Sequence, residues 1–134
     1  MFRTLCILFA AAAVVLCSSC TTTTAIVDNS NRTMEELCLY MMQKTGGKYD
    51  GMMAVDPIRA SEGFALKIAG RQVAFYKYDL RWEKTRAKID YVNKNHFIYI
   101  YGEKFSAVSN GCFIMVDYET NLLKDELLEA FKSF

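Results

Sequence analysis

Hydrophobic positions recur along this chain with two periods, and the periods lay out its elements. Thr33-Met34-Glu35-Glu36 has the form of a capping box, and Leu37, Cys38, Met41 and Met42 follow at helical spacing until Gly46-Gly47. A helix is predicted over 33–45. Asp50-Gly51 marks a turn, and Met52 to Val55 suits a short strand that Asp56-Pro57 ends. Gly63 to Ala69 and Gln72 to Asp79 alternate around Gly70-Arg71, which predicts a type II′ hairpin. That loop sets Ile68 opposite Val73 and Leu66 opposite Phe75 on an apolar face, and leaves Ala65, Lys67, Ala74 and Tyr76 on a mixed one.

Trp82, Thr85, Ile89 and Val92 make one helical face within 80–93, and the lysines and arginines between them read as its solvated side. Phe97 to Tyr101 is a strand by composition and alternation. Asn110-Gly111 signals a hairpin pairing Phe105–Ser109 with Cys112–Asp117. Leu123, Leu127, Phe131 and Phe134 then form a helical stripe, widened by Leu128, with Asp125 and Glu126 early and Lys132 late as the helix dipole favours. The order gives an α+β domain: a mostly antiparallel sheet of four to six strands with helices packed on one face.

The N-terminus follows another pattern. Arg3 precedes an uncharged apolar run from Leu5 to Cys17, thirteen residues long, and Ser18-Ser19 follow. That is a secretory signal, too short to span a bilayer comfortably. Leu16-Cys17-Ser18-Ser19-Cys20 resembles a bacterial lipobox, with Cys17 standing where leucine is usual. The resemblance implies diacylglycerol on the Cys20 sulfur, an anchor on the extracytoplasmic side of the cell envelope; cleavage near Cys20 or after Ala25 without lipid would give a secreted protein instead. The division expected is a signal peptide over 1–19, a flexible tether over 20–32 that begins with a threonine tract, and a single domain over 33–134. A second resemblance, to small uncharacterised bacterial lipoproteins, rests on Val73 to Asp79, Asn110-Gly111 and Lys124 to Phe134; it implies no activity.

Composition narrows the function classes. A net charge of +1 in 134 residues leaves no basic excess for nucleic acid. One histidine, His96, excludes centres built on two or three imidazoles, and no metal or other cofactor is expected. Cys38 and Cys112 stay in the domain, either bridged or as separate thiols in apolar surroundings. None of the GxSxG, P-loop, GxGxxG or HExxH motifs occurs. His96 reads as solvent-facing, and Asp79, Asp90, Asp117 and Glu119 offer carboxylates without a pairing pattern.

What exceeds background is tyrosine, eight residues of it. If Ile98 and Ile100 share the face of Leu66 and Phe75, then Tyr76, Tyr78, Tyr99 and Tyr101 share the other face with Lys67. Tyrosine combines contact area with a polar tip, so this face is the candidate surface for an envelope protein or glycan. The leading expectation is a non-enzymatic, membrane-anchored binding or structural module. The alternatives are a small envelope hydrolase using carboxylates or a Cys-His pair, and an immunity or inhibitor lipoprotein.

Overall fold

The computed structural model describes residues 26–134. Six strands and three α-helices follow in the order α1 (Met34–Thr45), β1 (Lys48–Met52), β2 (Glu62–Ile68), β3 (Arg71–Lys77), α2 (Glu83–Asn95), β4 (Phe97–Ile100), β5 (Glu103–Asn110), β6 (Phe113–Val116) and α3 (Lys124–Ser133), with a 3₁₀ turn at Asp56–Ile58. The strands form one antiparallel sheet in the order β1-β2-β3-β6-β5-β4, so the fold is α+β.

Local chemistry accounts for the elements. Thr33 Oγ1 accepts from the Glu36 amide at 3.1 Å and the Glu36 carboxylate accepts from the Thr33 amide at 2.6 Å, which completes the capping box. The threonine of the Asn31-Arg32-Thr33 sequon is therefore the helix cap. Asp50-Gly51 is not a turn. Gly51, at φ 104°, lets β1 bulge, and the register shifts between Tyr49 and Met52, so the strand lies before the segment expected.

Both predicted loops are displaced by one residue. The β2–β3 loop is Ala69-Gly70, with φ 48° and 77°, a type I′ turn that sets Leu66 opposite Val73 and Phe64 opposite Phe75. The β5–β6 loop is Gly111-Cys112, since Asn110 pairs with Phe113. Each displacement moves the pairing by two positions, so every side chain keeps its face.

The helices do not share one face. α1 and α3 cover Phe64, Leu66, Ile68, Val73, Phe75, Phe113 and Met115. On the opposite face Ile89 and Val92 of α2 pack with Ala74, Tyr76, Tyr78, Ala107, Ile114 and Val116. The central strands are thus buried on both sides. Trp82, expected on the packed face of α2, precedes the helix as its exposed N-cap residue.

Residues 26–32, expected within a tether, run as a strap along the domain. Asn29 Nδ2 donates to the Asn110 carbonyl at 3.1 Å, and its Oδ1 accepts from the Cys112 amide at 2.8 Å. The Lys77 ammonium donates to the carbonyls of Ser30 and Arg32, and the Arg32 guanidinium lies 3.9 Å from the Phe134 ring centre.

Cys38 is half-buried, Cys112 is buried, and both are free thiols. Burial pushes the Cys112 thiol up to about 11, from 9.0. A raised pKa stabilises the fold fully below about pH 9, and that contribution is lost as pH rises toward 11. Burial raises Tyr76 and Tyr78 as well, so they add to the same alkaline loss. Urea midpoints should therefore fall across this window, and a flat profile would contradict it. At neutral pH iodoacetamide should label Cys38 before Cys112, and denaturation without reductant should expose both. If neither thiol labels on denaturation, they are bridged.

Candidate functional site

The tyrosine face does not assemble. Tyr76 and Tyr78 are 3% and 2% exposed, sealed beneath α2, and the Tyr78 hydroxyl donates to the Ile58 carbonyl at 3.2 Å. Tyr99 and Tyr101 are 55% and 85% exposed. Ile98 belongs to the same α2-side cluster as Tyr76, which reverses the face assumed for β4 and sends Tyr99 to the α1/α3 side. Tyr101 is a turn residue: with Gly102 it forms a second type I′ loop at φ 50° and 79°. Lys67, opposite Lys48 and Gln72 on β2, lies four strand positions from β4, about 19 Å at ~4.8 Å per strand. Alternation fixes faces within a strand but carries nothing across a helix to the next one. Cys20, the proposed lipid site, lies outside the described residues.

A different arrangement emerges at the β4 edge. Tyr91, Phe97 and Tyr99 form a ladder of nearly perpendicular rings, with centroids 5.6 and 5.4 Å apart, and the Lys104 ammonium sits 4.2 Å from the Phe97 ring centre. Beside it a groove of about 330 Å³ is lined by Asn95, His96, Phe97, Lys104, Ser106, Tyr118 and Glu119. Phe97 pairs with Ser106, so His96 stands opposite Ala107, whose amide donates to the His96 carbonyl at 3.0 Å. The His96 carbonyl therefore faces β5, as do the backbone groups of Ile98 and Ile100, while the His96 amide closes α2 on the Val92 carbonyl. Phe97 and Tyr99 turn theirs outward, because antiparallel pairs alternate. The edge carries Phe-Ile-Tyr-Ile without a charge, a proline or a bulge. The opposite edge, β1, has Lys48, Asp50 and the Gly51 bulge, the usual guards against strand addition.

His96, Ser106 and Glu119 line one groove, but no hydrogen bond joins their side chains. Ser106 Oγ instead accepts from the amides of Tyr118 and Glu119, both at 3.1 Å. Both cysteines belong to the α1/α3 side, Cys112 within that core and Cys38 packed against it; neither lines the groove. Three of the four carboxylates named from sequence pair locally. Asp79 is held down to about 2 by the Arg81 guanidinium, Asp90 meets Lys94 at 2.9 Å and Glu119 meets Lys124 at 3.8 Å. Asp117 sits at φ 63° just past β6. Among the described residues no three His, Cys, Asp or Glu side chains gather as a metal-ligand set, and no helix is long and apolar enough to cross a membrane.

Sequence reasoning missed Tyr91, Phe97 and Lys104. The available signal was the uncharged run Phe97–Ile100, which becomes informative only once β4 is known to be an edge. Comparison with family models, with curated proteins and with solved structures finds no match.

Proposed function

We propose that the protein is a lipid-anchored module of a bacterial cell envelope that binds a partner protein by accepting an extended segment at the β4 edge. The charged start, the apolar run and Ser18-Ser19 before Cys20 support the anchor. The observation that carries the binding reading is the unguarded edge: outward amides and carbonyls of Phe97 and Tyr99 flanked by exposed rings. Strand addition draws affinity from such backbone groups and specificity from the alternating side chains beside them.

The test uses the outward amide of Tyr99. Proline there removes a donor that β5 does not use, so Tyr99→Pro should stay folded. It should weaken partner capture from envelope extracts by about tenfold or more, whereas Tyr99→Phe retains it. A folded Tyr99→Pro chain that captures the same partner undiminished overturns the edge reading. Labelled palmitate should enter the wild type and not Cys20→Ala; label that survives the change removes the anchor.

A further inference from the structure

A second concavity lies on the α2 side, away from the β4 edge. It holds about 190 Å³ and is lined by Arg59, Tyr78, Lys84, Thr85 and Lys88. Two segments build it. Lys84, Thr85 and Lys88 share one face of the first turns of α2, at positions i, i+1 and i+4. Arg59 is presented from the 3₁₀ turn in a left-handed conformation, φ 54°, that a side-chain-bearing residue adopts only when its surroundings hold it. The holding group is the carbonyl of Ile58, which accepts from the Tyr78 hydroxyl and from the Lys88 ammonium.

The charge balance is one-sided. None of the four ion pairs among the described residues includes Arg59, Lys84 or Lys88. Lys88 is half-buried and uses one of its three donors on Ile58, leaving two for the concavity. Burial pushes the Lys88 pKa down, and the nearby Arg59 guanidinium adds to that. A half-buried cation held beside another is disfavoured unless an anion completes it. Thr85 lines the same concavity and brings a hydroxyl to it.

We infer that this concavity is a binding site for a phosphate group, with Arg59, Lys84 and Lys88 as its cationic walls. The volume sets the class, for pockets that enclose a drug-sized ligand begin near ~300 Å³, whereas this one suits a compact anion. Three cationic residues and a hydroxyl from two segments line the concavity, a lining that suits an anionic group with several oxygens. Free phosphate, largely a dianion near neutral pH, and the phosphodiester of a lipid headgroup, a monoanion with two free oxygens, both present anionic phosphoryl oxygens to such a site.

The experiment follows backbone amide resonances of the full chain in detergent micelles as inorganic phosphate is added, with chloride at equal ionic strength as the control. Saturable shifts confined to 58–60 and 83–88 are expected with phosphate alone. Lys88→Gln, which keeps a donor for Ile58, and the exposed Lys84→Gln should each weaken binding by about tenfold. A second arm adds phosphatidylglycerol vesicles. Displacement of bound phosphate identifies a headgroup site, and unchanged phosphate binding identifies a soluble phosphate ligand. Shifts that fail to saturate, match chloride or survive both substitutions overturn the inference.

Discussion

Tyr78→Ala should cost the domain about 4 kcal/mol, in the range for removing a large buried aromatic. Tyr101→Ala should stay within about 0.5 kcal/mol, as exposed changes do. The two residues differ in place, not in chemistry. Tyr78 is wedged between the sheet and α2 with Ile58, Ile89 and Val92 in the same cluster, whereas Tyr101 stands at the tip of a loop. Domain stabilities run from about 5 to 15 kcal/mol, so the first change removes a large part of the whole. Tyr78→Phe separates packing from hydrogen bonding. Its loss should be only about 0.5–1 kcal/mol, because the Lys88 ammonium still satisfies the Ile58 carbonyl and no acceptor is orphaned. Urea unfolding followed by tryptophan fluorescence and far-ultraviolet circular dichroism reads all three. Equal losses for Tyr78→Ala and Tyr101→Ala would refute the buried position of Tyr78.

Gly111→Ala should cost about 2–4 kcal/mol, through two routes that a double-mutant cycle can part. The residue holds φ 58°, where a Cβ costs about 1–2 kcal/mol. That Cβ would also stand 2.6 Å from the Val27 carbonyl oxygen and collide with the Asn29 side chain. The strap must then lift, breaking the Asn29 side-chain hydrogen bonds with the Asn110 carbonyl and the Cys112 amide, each about 1 kcal/mol. Asn29→Ala alone should cost about 1–2 kcal/mol, and in that background Gly111→Ala should lose the part of its effect that comes from the Asn29 side chain, while the Val27 carbonyl contact and the positive φ remain. Protease nicking near residues 26–30 should accelerate in both variants. Strictly additive losses with unchanged nicking would mean that the strap does not bear on Gly111.

The parts of the fold legible in the sequence are those in which short-range patterning decides. The capping box of Thr33 and Glu36 is local chemistry. The faces of β2 and β3 also came through, because a loop misplaced by one residue moves the register by two. The covering of the sheet did not. Val73 to Tyr76 and Phe113 to Val116 are buried at every position, a continuous apolar run rather than an alternation, and that is the sign of a strand packed on both sides. Reading Tyr76 as a polar-tipped surface residue missed it. The ring ladder of Tyr91, Phe97 and Tyr99 was illegible for a different reason: it exists because β4 ends the sheet, and strand order depends on contacts far apart in sequence.

The strap has a consequence for how the molecule stands on a membrane. With lipid on Cys20, five residues would separate the anchor from Ile26, six steps or at most about 20 Å of extended chain. The strap then passes the Gly111 loop, so that end of β5 is held near the bilayer. From Asn110 back to Glu103 is seven residues of strand, about 24 Å, and the Tyr101-Gly102 tip lies beyond Glu103. A short leash fastened at one pole would, if Cys20 carries lipid, leave the β4–β5 tip as the pole farther from the bilayer. A partner meeting this molecule from solution would reach that tip, and the edge strand beside it, before any other part of the sheet.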